Sequence, residues 1–126
     1  TGAFQELVGY KAEIDERGEV RVTLHVDDRH LSQYGIAHGG VTLTLLDAAG
    51  GLAVLAAAPD LVRVATISLA TNFVRPVERG RVVAAARLDH LGRAIAHAAM
   101  RLHAGSEVGP LLATGHGAYR LFRATE

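Results

Sequence analysis

The residues of this 126-residue chain best placed for chemistry are His38-Gly39-Gly40, which open a long apolar run, and Asp47 inside that run. If the run is a helix, its first N–H groups have no partners within it, and the macrodipole makes that end positive. Two glycines strip away side chains that would keep a ligand oxygen from the backbone. Such a helix start suits a polarised carbonyl, whose oxygen gains charge during acyl transfer. A purely structural reading also fits: Gly39 and Gly40 let the helix pack tightly on the preceding loop. Asp47 sits among Leu43, Leu45, Leu46, Ala48, Ala49 and Leu52. A carboxylate there must be partnered, protonated or open to a cleft. It either bonds the strand spanning Thr66 to Asn72 or an arginine, or it stands poised to activate water or attack an acyl carbon.

Spacing adds a constraint. Gly39 and Asp47 are eight residues apart, which is ~12 Å along one helix at ~1.5 Å per residue. One helix can hardly bring both to the same carbonyl. Two antiparallel copies can, with Gly39 of one subunit facing Asp47 of the other, and a twofold dimer then holds two equivalent interfacial sites.

The elements that must position these residues follow from the hydrophobic pattern. Gly39 to Ala58 is twenty residues long with one charge, Asp47. An aspartate near a bilayer centre costs ~2.5–3.5 kcal/mol, and four glycines and two threonines weaken a membrane span further. A helix apolar on all faces can instead be buried in a folded core, wrapped by sheet. Val20, Val22, Leu24 and Val26 alternate with Arg21, Thr23, His25 and Asp27, the period of a half-buried strand. Tyr10 to Ile14 can pair with it through Asp15-Glu16-Arg17-Gly18. After Pro59-Asp60, Val62 to Val74 reads as a long strand stopped by Pro76. Arg81 to His90 and Arg93 to Ala104 flank Leu91-Gly92 as a second hairpin, with Ala94, Ala96, Ala98, Met100 and Leu102 sharing one face. Gly105 to Gly109 is a turn and Pro110 to Phe122 a last strand, while Phe4 and Leu7 mark a short helical turn near the start. The fold class is α+β: one apolar helix against a curled, mostly antiparallel sheet that buries it on most sides, in a single domain over residues 1–126.

Composition excludes several classes. Hydrophobic residues make up 49% and charged residues 21%, with a mean hydropathy of +0.20, so a globular core is expected rather than disorder. Thirteen basic residues balance thirteen acidic ones, which argues against a nucleic-acid partner. Cysteine is absent, so disulfides, thiolate metal sites and a cysteine nucleophile are excluded. Thr1 to Tyr10 lacks the basic and apolar regions of a signal peptide, and a cytoplasmic protein with no membrane partner is the expectation.

Gly35-Ile36-Ala37-His38-Gly39-Gly40-Val41 with Leu46-Asp47 resembles the signature of hotdog-fold acyl-CoA thioesterases, closest to the phenylacetate-degradation type. Ala65-Thr66-Ile67-Ser68-Leu69 through Phe73-Val74-Arg75-Pro76-Val77 resembles that family's next strand, and Leu91-Gly92-Arg93 its following hairpin. The resemblance runs from about Gly9 to Leu121. It implies a hotdog fold, a curled antiparallel sheet around one central helix, and hydrolysis of a short- or medium-chain or aryl acyl-CoA. It implies that Gly39 donates its N–H to the thioester carbonyl and that Asp47 of the partner subunit is base or nucleophile. It places His38 at the helix start as a shaping residue beside Gly40, with Ser32 and Thr66 as further substrate contacts. Arg75, Arg93 and Arg63 lie at loop or strand ends, where a solvated charge is the default and contact with coenzyme A phosphates the functional alternative; Arg75, Gly92 and Arg93 are the coenzyme A contacts expected. It implies a homodimer of interfacial sites, assembled into a homotetramer, and no metal or organic cofactor, coenzyme A being part of the substrate. One departure stands out: the family carries Asn or Gln six residues before the histidine, and this chain has Ser32, with Gln33 beside it.

Two rival functions share the fold: a hydratase or dehydratase, with His38 as its catalytic histidine, and a non-catalytic acyl-CoA-binding module, which Ser32 favours. A structural role for Asp47 at a backbone bend is a third. The seven histidines, at 25, 30, 38, 90, 97, 103 and 116, lack metal-ligand spacing and read as surface or strand-face residues. Gly115-His116-Gly117 lies in a strand with no helix following, unlike a dinucleotide fingerprint. Ser106 lies in a glycine turn and not at a nucleophile elbow.

Overall fold

A computed structural model describes residues 2–124. The elements are α1 (Ala3–Val8), β1 (Lys11–Ile14), β2 (Val20–Val26), a 3-10 turn (Asp28–His30), α2 (Gly39–Ala56), β3 (Leu61–Phe73), β4 (Gly80–Leu91), β5 (Ile95–Ala104) and β6 (Leu111–Arg123). The six strands form one sheet in the order β1-β2-β4-β5-β6-β3, with every pairing antiparallel.

The hairpins form where turn chemistry sits. Between β1 and β2 the Asp15 carboxylate accepts the N–H groups of Arg17 and Glu19 at 2.9 and 3.0 Å, and Gly18 takes the left-handed conformation at φ +81°. Between β4 and β5 the Gly92 N–H donates to Ile95 O at 3.0 Å. Arg93 and Ala94 are consumed by that turn, so β5 begins at Ile95, two residues later than the alternation suggested, and Ala94 is exposed while Ala96, Ala98, Met100 and Leu102 are buried. Similarly α2 stops at Ala56, with Ala57 as its C-cap, because Pro59 biases Ala58 away from the helical region.

The sheet curls over α2 as a half-barrel. Leu45, Leu46, Ala49 and Val54 of the helix meet Val22, Leu24, Ala84, Ala98, Met100, Leu102, Ala113 and Leu121 of the strands, and each fully buried aliphatic side chain contributes about 1.5–3 kcal/mol. The sheet covers less of α2 than the expected burial on most sides. Leu43, Asp47, Ala48, Gly51, Leu52 and Leu55 stay half-buried, because β1 and β3 end the sheet as open edges instead of closing on each other. Edge strand β3 carries Val62, Ile67 and Phe73 exposed. A long edge with apolar side chains is a template for another strand.

His30 corrects the reading of the histidines as surface or strand-face groups. It lies in the 3-10 turn, buried. Its Nδ1 accepts the Asp27 N–H at 2.9 Å and its Nε2 lies 2.7 Å from Val8 O. It therefore ties α1 to the loop before α2, and two satisfied ring nitrogens permit its burial.

Candidate active site

The loop leading into α2 is held from both sides. Ala37 N–H donates to Val77 O at 2.7 Å and His38 N–H to His30 O at 2.9 Å. His38 is the N-cap: its Nδ1 accepts the Gly40 N–H at 2.9 Å, and its carbonyl accepts the Val41 N–H at 2.9 Å. That leaves the Gly39 N–H without a partner among the described residues. A hollow of about 440 Å³ opens there, lined by Ile36, Gly39, Thr42, Phe73, Arg75 and Val77 among others. A Cβ on Gly39 would lie 3.4 Å from Phe73 Cζ, so the ring flanks the bare helix start. Arg75 reaches across from the end of β3, one Nη donating to Leu111 O at 2.7 Å.

Asp47 opens onto a second hollow, of about 320 Å³, whose lining includes Tyr10, Gly51, Leu55, Val64, Thr66 and Tyr119. Its Oδ1 accepts the Thr66 hydroxyl at 2.7 Å and the Tyr119 hydroxyl at 3.3 Å. Asp47 is partnered by the strand that carries Thr66, and no arginine pairs with it among the described residues. Burial, then the negative charge of Asp47, pushes the Tyr119 phenol up from its ordinary value, and Tyr10 is raised by the same two causes. Both phenols therefore stay protonated across the physiological range, and that of Tyr119 donates to Asp47.

The remaining candidates are scattered. Ser32 is half-buried, and its hydroxyl accepts the Tyr34 N–H at 3.2 Å within a turn; it lines neither hollow. Gly92 and Arg93 form the β4–β5 turn, where a Cβ on Gly92 would lie 2.6 Å from Ile95 O, and the Arg93 carbonyl accepts an Nη of Arg123. Within one protomer neither lines the hollows at Gly39 or Asp47. Arg63 stacks on Phe122, 3.9 Å from the ring centroid. A third hollow, on the outer sheet face over Ala85 and Ala99, holds Arg87, Arg101 and Glu107. Arg87 pairs with Asp89 and Glu107 with Arg21, so much of its charge is satisfied within the chain. Among the described residues no three His, Asp or Glu side chains are grouped to hold a metal ion.

Tyr119 carries no motif that marks it in the sequence. The signal that points to it is Gly50-Gly51 inside a helix, where each glycine costs about 1 kcal/mol relative to alanine. It was matched by Gly117 in a strand, as if both made room for something large.

Residues 34–110 match the family model described as the thioesterase superfamily. A protein of Halobacterium salinarum, named as a candidate esterase, is 33% identical over 93% of this chain and 83% of its own length. A Bacillus halodurans protein crystallised with CoA superposes with a TM-score of 0.88 at 25% identity, over 98% of this chain and 81% of that one. A thioesterase of Haemophilus influenzae shares the fold with a TM-score of 0.89 at 24% identity, over 100% of this chain and 87% of its own.

Proposed function

The chain belongs to the thioesterase superfamily, and from that premise we propose that it hydrolyses a short- or medium-chain or aryl acyl-CoA to the free acid and coenzyme A. The working unit is a dimer in which Gly39 of one subunit and Asp47 of the partner subunit meet one thioester. The observation that carries this reading is the free Gly39 N–H at the positive end of an apolar helix, opening on a hollow. A donor aimed where charge develops stabilises the tetrahedral intermediate. Within one chain that donor and Asp47 line separate hollows, and the exposed β3 edge supports pairing with a second copy.

The chemistry is modest. The thioester carbonyl oxygen sits on Gly39 N–H, and Thr66 orients Asp47. In one route Asp47 takes a proton of an attacking water, the water oxygen bonds to the acyl carbon, the carbon–sulfur bond breaks, and the coenzyme A thiolate takes that proton. In the other, Asp47 itself bonds to the acyl carbon and displaces the thiolate; water then cleaves the mixed anhydride to the free acid and the restored Asp47 carboxylate, and the water's second proton goes to the thiolate. The thioester is already activated, so the reaction calls for no metal or organic cofactor. Arg75, which lines the Gly39 hollow, is the cation this reading assigns to a phosphate of coenzyme A, with Gly92 and Arg93 reaching the nucleotide end only across subunits. The Bacillus halodurans neighbour with CoA supports this substrate class. A tetramer of two such dimers and a cytoplasmic setting complete the proposal.

A second reading, acyl-CoA binding without turnover, draws on Ser32, whose hydroxyl is spent on the Tyr34 N–H. Thiol release from a panel of aliphatic and aryl acyl-CoAs, by the wild type and Asp47→Asn, separates the two. Turnover that falls by ~10²–10⁴-fold in a folded Asp47→Asn is expected. Binding of the esters with no thiol released overturns hydrolysis in favour of the binding module.

A further inference from the structure

Tyr119 enters its place through a slot cut by two glycines. On β6, a Cβ at Gly117 would lie 2.6 Å from ring atom Cε2. On α2, a Cβ at Gly50 would stand inside contact distance of the phenol oxygen. The ring is buried, and a buried phenol is retained where its hydroxyl finds a partner. That partner is Asp47: the hydroxyl lies 3.3 Å from Oδ1 and 3.4 Å from the Asp47 carbonyl oxygen. Thr66 donates to the same Oδ1 at 2.7 Å. The carboxylate is thus used asymmetrically, with both hydroxyls on Oδ1 and no partner for Oδ2 among the described residues. The groups facing Asp47 are Thr66 from β3, Tyr119 from β6, and Tyr10 and Gln5 from the N-terminal segment; the lining contains no lysine, arginine or histidine.

We propose that Tyr119 is a positioning residue: together with Thr66 it ties up Oδ1 and turns Oδ2 of Asp47 toward the substrate as the oxygen that does the chemistry. The inference rests on the acyl-CoA hydrolase reading above. In the water route, an Oδ2 lone pair takes one proton of the water while its oxygen bonds to the acyl carbon. The carbonyl π pair moves onto the oxygen held by Gly39 N–H. When that pair returns, the carbon–sulfur bond breaks, and the leaving thiolate recovers the proton from Oδ2. If Asp47 attacks directly, the same oxygen supplies the pair, the thiolate leaves, and water then cleaves the mixed anhydride, giving the free acid, the restored carboxylate and a proton for the thiolate. A carboxylate free to rotate would present either oxygen at varying angles, and orientation is where much of such a step's rate resides.

The test uses Tyr119→Phe, which keeps the ring in its slot and removes the donor, alongside Thr66→Val and the double variant. For Tyr119→Phe the expectation is kcat lowered roughly 3–30-fold, KM unchanged and Tm nearly so. The double variant should lose less than the product of the single losses, because both act on one oxygen. The infrared difference spectrum between each protein and its Asp47→Asn counterpart reads the carboxylate directly. The separation of its antisymmetric and symmetric stretches should shift in Tyr119→Phe, a readout that ring packing alone does not move. An unchanged spectrum overturns the inference whatever the turnover. So does a kcat loss that merely follows a lowered Tm. If the wild type releases no thiol, the hydrolase reading fails, and the catalytic part of this inference fails with it. The spectrum then still decides whether Tyr119 holds the carboxylate.

Discussion

The Nδ1 of His38 accepts the Gly40 N–H at 2.9 Å, so the histidine of the His-Gly-Gly segment is engaged as a helix cap. The cap engages Nδ1 alone and leaves Nε2 without a partner among the described residues, so variants of His38 decide between a hydrolase that uses Gly39 and a hydratase that uses His38. His38→Asn keeps a capping oxygen and should retain thioesterase activity within a few-fold. His38→Leu loses the cap and should cost ~1 kcal/mol of stability, measured by urea unfolding. A loss of ~10²-fold or more in a folded His38→Asn would instead assign the imidazole a proton-transfer role.

An interfacial site makes two defective subunits complementary. Gly39→Ala puts a methyl group 3.4 Å from Phe73 Cζ, which the exposed ring can accommodate, and the methyl crowds the carbonyl's approach to the backbone donor. Gly39→Ala and Asp47→Asn should each be nearly inactive alone. After co-unfolding and refolding as a 1:1 mixture, half the dimers are mixed and carry one intact site each. About a quarter of wild-type activity should return. No recovery, with mixed dimers shown by mass spectrometry, would place both groups in one subunit's site.

Gly117→Ala should destabilise the fold and disturb the site together. The added Cβ would meet the Tyr119 ring at 2.6 Å, and overpacking of this kind typically costs ~1–3 kcal/mol. Tyr119→Phe leaves that clash in place. Tyr119→Ala in the Gly117→Ala background should relieve it, so the two losses of stability should add to less than their sum. Strict additivity in urea midpoints would argue that the slot closes without touching the ring.

The raised Tyr119 phenol gives a signed pH dependence. Its folded value lies above the ordinary 10.0, through burial first and the Asp47 carboxylate second. Below about pH 10 both folded and unfolded chains keep the phenol protonated and its contribution is fully present. Above that, the unfolded chain ionises first, so stability falls as pH rises toward the folded value. Urea midpoints between pH 8 and 11 should therefore decline more steeply for the wild type than for Tyr119→Phe. Ultraviolet titration should find the Tyr119 phenol more acidic in Asp47→Asn, since one of its raising causes is removed.

Much of this arrangement is legible in the order of the side chains. Alternating side chains marked β2 and β5 because strand geometry repeats every two residues. Asp15 to Gly18 and Leu91-Gly92 marked the hairpins because tight turns need particular residues. A lone aspartate in an apolar helix is conspicuous by the cost of burying it, and the strand that carries Thr66 lies among the partners that cost calls for. These are local properties, carried by neighbours in the chain.

Which elements close on which is set by contacts between distant parts of the chain. The phenol of Tyr119 comes to Asp47 from 72 residues away, and no periodicity encodes a contact at that range. The same holds for His30, whose burial depends on the distant Val8 carbonyl. It holds too for β3, which follows α2 in sequence yet pairs only with the last strand and forms an open edge. The apolar helix, its glycine start and its single carboxylate are written in the order of side chains, because helix and strand patterns are short-range consequences of side-chain type. Which oxygen of that carboxylate is tied, and which face of the helix stays open, depended on long-range packing, because those contacts exist only once the whole sheet has curled over α2.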